Sequence, residues 1–203
     1  AKRQTMMFSA TLPPNILNLS QKYLTDPVRI SVGSVNTPIT KIKQELIQVT
    51  DTNKYNHLLD QLTQREGSII IFVKTKVGAE KLAKELRDSG HNTNAMHGDL
   101  HQNKRKVVIN AFRNRKHRIM VATDVAARGL DIPHIEHDIN YDMPQCPEDY
   151  IHRIGRTARA GNDGAAVNLL TRADGPKWRA IDRLLNPDNF LKGNEGKGER
   201  HGE

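Results

Sequence analysis

The sequence predicts an α/β fold of three layers, with a mainly parallel sheet flanked by helices. Two patterns and one bound carry that reading. Short apolar runs alternate with amphipathic stretches, as strands joined by helical crossovers do. The turns after those runs are rich in glycine and polar side chains, and an open α/β sheet places its ligands outside the carboxyl ends of its strands. A chain of 203 residues also has room for one sizeable core, or for one domain and a fragment of another.

Taken in order, residues 43–49 ("KQELIQV") open the sheet. Asp51 stands as a cap for a helix in which Tyr55, Leu58, Leu59 and Leu62 recur at i, i+3, i+4 and i+7. "SIIIFV" (68–73) reads as the next strand, and Val77, Leu82 and Leu86 precede a helix stop at Gly90. Strands at 92–96, 117–123, 135–141 and 164–171 follow, with helices at 102–116, 148–160 and 173–185 between and after them. An open sheet of the RecA or Rossmann type accommodates this order. The two ends fall outside the unit. Residues 5–32 read strand, turn, helix, strand, with Pro13 and Pro14 opening the helix. One such βαβ cannot cover both faces of its strands, so residues 1–33 are expected to be the end of a preceding domain and the start of a linker. Residues 34–188 form the main domain, and the glycine-rich polar stretch 189–203 is expected to be a flexible tail.

Composition narrows the partners. Lys and Arg number 31 against 23 Asp and Glu, a formal charge of +8, which favours polyanions such as nucleic acid or nucleotides. No segment approaches the roughly 18 apolar residues of a membrane-spanning helix, and no signal peptide is evident. Cys146 is the sole cysteine, so neither an intrachain disulfide nor a thiolate metal cluster is possible. A reducing, cytoplasmic setting is expected.

Three loops carry the candidate chemistry. After the strand at 92–96 comes "HGDLHQNKR", where Gly98 permits close backbone approach and Gln102 and Arg105 begin a helix suited to gripping phosphate. After the strand at 117–123 comes "DVAARGLDIP", where Thr123, Asp124, Arg128, Gly129 and Asp131 crowd one turn, and Asp131 is placed to bond a ribose hydroxyl. In "EDYIHRIGRTARAG" (148–161), a helix would set His152, Arg156 and Arg159 on one stripe at i, i+4 and i+7 with Gly155 beside it. Guanidinium forks match phosphate oxygens, and a solvated basic face is the competing reading. The pairs His97/His101 and His134/His137 lack a third ligand at metal spacing, so no metal site is expected. No GxxxxGK[ST] loop occurs, and no carboxylate pair at a strand end offers a Mg²⁺ site. Arginines for phosphate without a cradle amount to half of a nucleotide site.

These segments resemble, in order and spacing, the DEAD-box ATP-dependent RNA helicases, in particular their second, C-terminal RecA-like domain. "SAT" (9–11) resembles the last motif of the first domain, "IIIFVKT" motif IV, "MHGDLHQNKR" the Gln-x-x-Arg segment, "ATDVAARGLDIP" motif V, "INYDMP" the short motif after it, and "HRIGRTARAG" motif VI. Ala158 stands where many members carry glycine. The resemblance implies that Arg156 and Arg159 are arginine fingers for ATP, that His152 contacts the DEAD motif across the cleft, and that Asp131 holds the ribose. It implies that Gly98, Gln102, Arg105 and Thr123 line an RNA track read largely without regard to sequence. ATP and Mg²⁺ would be held mainly by a first RecA-like domain, which is the implied partner along with RNA, and the chain alone would be inactive. A non-catalytic RNA or protein module and a DNA-translocating helicase are the alternatives. No membrane association or oligomer is expected.

Overall fold

A computed structural model describes residues 3–9, 14–31, 42–128, 130, 132, 135–157 and 164–186. Six strands form one parallel sheet: β1 (Ile42–Gln48), β2 (Ser68–Phe72), β3 (Thr93–Met96), β4 (Ile119–Ala122), β5 (Ile135–Asn140) and β6 (Gly164–Leu170). Their order across the sheet is β1-β6-β5-β2-β4-β3, so the chain runs out to the edge strand β3 and then returns through β4, across β2, to β5 and β6. The helices are α1 (Pro14–Tyr23), α2 (Lys54–Gln64), α3 (Lys76–Asp88), α4 (Gln102–Arg113), α5 (Asp124–Ala127), α6 (Pro147–Ile154) and α7 (Gly175–Leu185), the last preceded by a 3₁₀ turn at Arg172–Asp174.

Burial explains the topology. Every residue of β2 and β4 is covered, which fits strands lying between neighbours with helices on both faces. Side chains alternate between the faces. Ile69 and Ile71 join Leu58, Leu62, Leu82 and Leu86 of α2 and α3 on one side. Ile70 and Phe72 join Val108 and Phe112 of α4 and Ala126 and Ala127 of α5 on the other. A third cluster sets Tyr150 and Ile154 of α6 and Ile181 of α7 against Ile42, Ala166 and Leu170. Each fully buried isoleucine contributes about 1.5–3 kcal/mol.

Several sequence expectations are corrected. The first helix of the main unit has Asn53 at its N-cap position, with no side-chain cap bond; the Asn53 oxygen instead accepts from the Thr50 amide at 2.7 Å, and Asp51 stands in the turn before it. Around α1, the described segments 3–9 and 24–31 are not strands. Ladders need a hydrogen-bonded neighbour, and among the described residues none pairs with them, which leaves Phe8 87% and Val28 88% exposed. The helix expected over 148–160 ends at Ile154. The start of the linker at residue 33 and the tail at 189–203 lie outside the described residues.

Candidate nucleotide and nucleic-acid site

All six carboxyl ends share one edge of the sheet because the strands are parallel. The segments leaving β2, β4 and β5 meet there around α6. Pro147 starts this helix, Glu148 and Asp149 occupy its first turn, and His152 and Arg153 its last, each charge at the end the helix dipole favours. Tyr150, Arg153 and Ile154 recur at i, i+3 and i+4 and form the buried face.

Arg153 is only 2% exposed. Its Nε donates to Asp124 Oδ1 at 2.5 Å and its Nη2 to Asp124 Oδ2 at 2.8 Å, a bidentate pair. Its Nη1 donates to Asn140 Oδ1 at 2.7 Å and to the Asp142 carbonyl at 2.6 Å. The guanidinium also stacks 4.8 Å from the Phe72 ring centroid. Polar contacts continue inward. Asn140 donates to Asn168 across the β5–β6 register at 2.9 Å, Asn168 donates to the Tyr150 hydroxyl at 3.1 Å, and that hydroxyl donates to Gln44 Oε1 on β1 at 3.0 Å. Burial pushes the Tyr150 phenol well above its usual pKa, so it stays protonated and holds its place in the chain of bonds.

With its inner face fixed, α6 presents His152 to the edge. Gly155 closes the helix; a Cβ there would stand 3.1 Å from the Ile151 carbonyl oxygen, so a side chain would crowd the last turn. Arg156 follows in the turn, its Nη1 donating to the Leu130 carbonyl at 3.2 Å. His152, Arg153 and Arg156 line one small pocket with Phe72, Asp149, the α5 residues Asp124 and Ala127, and Arg128 just after that helix. His152 and Arg156 thus converge, although through a helix end and a turn rather than along the continuous helical stripe expected. Arg159 and Asp131 lie outside the described residues.

The other group gathers at the ends of β3 and β4. Gly98 follows β3, and a Cβ added to it would meet nothing closer than Lys76 Cε at 3.6 Å, an ordinary contact. Packing within the chain therefore does not demand glycine there. Gln102 is the exposed first residue of α4, and Arg105 donates through Nη2 to the Ala126 carbonyl at 2.6 Å. Thr123, 8% exposed, caps α5 with its carbonyl and bonds the Met96 carbonyl through its amide at 3.1 Å. The two groups touch the same element: Arg105 bonds the Ala126 carbonyl of α5 and Arg153 its Asp124 carboxylate.

Sequence reading had singled out His152, Arg156 and Arg159 and missed Arg153, Asn140 and Asn168. One signal was available, since Arg153 shares helical spacing with Tyr150 and Ile154, and an arginine inside an apolar stripe is a buried one. No comparable signal marked the two asparagines.

The donor set suits a polyphosphate. Asp124 and Asp149 are each committed to an arginine, Arg153 and Arg128 respectively. Among the described residues no group of three or more His, Cys, Asp or Glu could hold a metal ion. The described residues therefore do not fit Mg²⁺.

An all-parallel sheet flanked by helices, with basic side chains gathered at its carboxyl edge, defines an α/β domain of the RecA-like class. Residues 53–161 match the family described as helicase conserved C-terminal domain. The chain is 46% identical over 177 residues to a probable ATP-dependent RNA helicase, ddx42, of Dictyostelium discoideum, covering 85% of this chain and 18% of that protein. It is 41% identical over 192 residues to the ATP-dependent RNA helicase DBP2 of Candida albicans, covering 92% of this chain and 34% of the relative. It therefore spans about a fifth to a third of these relatives. Among solved structures, S. cerevisiae Dbp5 bound to RNA and ADP BeF3 superimposes with a TM-score of 0.80 at 29% identity, covering 93% of this chain and 52% of that one. A DEAD box protein from Methanococcus jannaschii gives 0.70 at 41% identity, covering 88% and 48%. The chain belongs to the helicase conserved C-terminal domain family and, within it, to the DEAD-box helicases.

Proposed function

We propose that this domain supplies the second half of an ATP-dependent RNA helicase site. In that reading a first RecA-like domain binds ATP, and the two domains close on ATP and RNA together. Arg156 and Arg159 reach the terminal phosphate as closure occurs, His152 contacts the facing domain, and Asp131 holds the ribose. The guanidinium groups act on charge that develops on the transferring phosphoryl oxygens, and positioning supplies the remainder. Gly98, Gln102, Arg105 and Thr123 line the RNA backbone track, and bending of the bound strand opens short duplexes. Residues 1–33 are then the end of the first domain, in keeping with the exposed Phe8 and Val28.

The observation that carries the proposal is the convergence of His152 and Arg156 on one pocket, walled by the same short helix that Arg105 holds from the RNA side. Mg²⁺ would be held by the first domain. The test is RNA-stimulated ATP turnover by a protein in which this chain is joined to a DEAD-box first domain. Arg156→Ala and Arg159→Ala should each lower turnover by about 10² or more. Arg156→Lys should rescue little, since a point charge cannot reproduce the planar fork. The 203-residue chain alone should show no turnover. Near-normal turnover by Arg156→Ala, or activity of the chain alone, would overturn the reading.

A further inference from the structure

Helices α3 and α4 cover opposite faces of the sheet, and both end at its amino edge in the same pair of hydrogen bonds. After α3, the His91 amide bonds the Leu86 carbonyl at 2.9 Å and the Gly90 amide bonds that of Arg87 at 2.9 Å. After α4, the Lys116 amide bonds the Ala111 carbonyl at 2.8 Å and the Arg115 amide bonds that of Phe112 at 3.0 Å. This pairing calls for a left-handed residue, usually glycine. The first turn uses Gly90 at φ +85°, whereas the second uses Arg115 at φ +56°. An L side chain is disfavoured in that conformation, so the turn after α4 keeps an arginine where its backbone favours glycine.

The surroundings indicate what the side chain is for. Residues 101–118 contain seven Lys or Arg and no Asp or Glu. Arg115 and Lys116 are exposed, and neither side chain makes a hydrogen bond or ion pair among the described residues. Their frame is fixed. Asn92 Nδ2 donates to the Lys116 carbonyl at 2.8 Å, and the His117 ring bonds the Asn92 amide oxygen, which pins this turn to its neighbour after α3. Glu85 and Asp88 are the acids in the last turn of the neighbouring helix α3.

We propose that Arg115 and Lys116 form a second contact for the RNA phosphodiester backbone, at the opposite edge of the sheet from the track described above. The inference rests on the RNA-binding reading. Helix α4 begins at Gln102 and Arg105 on that track and is about 18 Å long, the axial length over which one strand of a duplex carries about five phosphates. Lys106 lies exposed along it. A protein partner would want an apolar core to its interface and a membrane an apolar face to insert, but the exposed large apolar residue of α4, Val107, lies two turns from Arg115. Guanidinium and ammonium groups on an open, acid-poor surface suit phosphate.

The double variant Arg115→Gly/Lys116→Gln and the single variant Arg105→Ala, each in the 203-residue chain, test the proposal. Fluorescence anisotropy with a labelled 20-nucleotide oligo(U), measured across salt concentrations, gives the log-log slope, and thermal melts run alongside. The double variant should lower the slope by about 1.4, from two phosphates at about 0.7 each. Its Tm should be unchanged or raised by about 1–4 °C, because glycine suits the turn. An unchanged slope, with Arg105→Ala lowering it, overturns this inference and leaves the RNA track standing. A lowered slope in the double variant with Arg105→Ala silent sustains the inference and overturns the track. A lower Tm in the double variant would make Arg115 structural and overturn the assignment. Equal loss of binding to poly-glutamate would overturn the phosphodiester class.

Discussion

Removing the Asp124 carboxylate isolates what holds α6 in place. In Asp124→Ala the guanidinium of Arg153 stays 2% exposed and keeps Asn140, the Asp142 carbonyl and the Phe72 ring as partners. It loses both charge-assisted bonds to the carboxylate. Two such bonds at about 1.5–3 kcal/mol each, or equally a buried charge stripped of its partner at about 3–5 kcal/mol, give the same magnitude. The sole tryptophan, Trp178 on α7, meets the Tyr150 ring of α6 edge-on, with centroids 5.8 Å apart and planes at 83°. Its fluorescence therefore reports the docking of α6 during urea unfolding. With m about 2–3 kcal/mol/M, the midpoint should fall by about 1–2 M. Asp124→Asn, which retains one acceptor, should lose about half as much. Asp124→Ala/Arg153→Met, which removes the stranded charge, should be less damaged than the single variant. A loss below about 1 kcal/mol for Asp124→Ala would refute the view that this ion pair fixes the helix.

Gly98→Ala should leave the thermal midpoint within about 2 °C, since the new methyl meets only Lys76 Cε at 3.6 Å, while RNA affinity measured by anisotropy should drop several-fold; unchanged affinity would remove Gly98 from the track. Burial and the Asp149 carboxylate push the Cys146 thiol up to about 11, above the ordinary thiol value. Its alkylation by iodoacetamide at pH 8 should therefore run about 10²-fold slower than that of an unfolded control. The same shift means that the unfolded chain releases its thiol proton first, so this contribution to stability is present below pH 9 and lost between about pH 9 and 11. Burial, aided by the charge of Arg65 on His137 and of Arg118 on His91, lowers both imidazole pKa values. The unfolded chain then binds protons that the fold refuses, and stability should decline as pH falls below about 6.5, which urea midpoints at pH 5.5 and 7.5 will show.

The sheet was legible in the sequence because its strands are buried runs whose composition leaves few alternatives: "SIIIFV" supplies β2, and the alternation with amphipathic helices supplies the crossovers. Element ends were less legible. Nothing local distinguishes Asp51 from Asn53 as a cap, and "HRIGRTARAG" contains good helix formers past Gly155, yet the helix stops where a Cβ would crowd the Ile151 carbonyl. The roles of the arginines diverged for a tertiary reason. Arg153 and Arg156 look alike in sequence, but one faces the sheet and the other leaves the helix at its end. Strands flanking α1 were expected from their apolar residues, whereas a strand exists only where a partner backbone completes its ladder.

Helix α5 has four residues, fewer than the length at which a helix sustains itself in water. Its own intrahelical support is slight. Apart from the burial of Ala126 and Ala127, its position is set by guanidinium groups from two other helices, Arg105 on the Ala126 carbonyl and Arg153 on the Asp124 carboxylate. It therefore has the character of a separately melting unit, able to open without the sheet opening. Amide exchange would follow the hold of the two arginines rather than the global free energy. Loosening either hold should speed exchange at Ala126 and Ala127, whose amides bond the Thr123 carbonyl just ahead of the helix. A strand of phosphates that drew Arg105 away would then be felt at Asp124, and so at the root of α6, without any movement of the core.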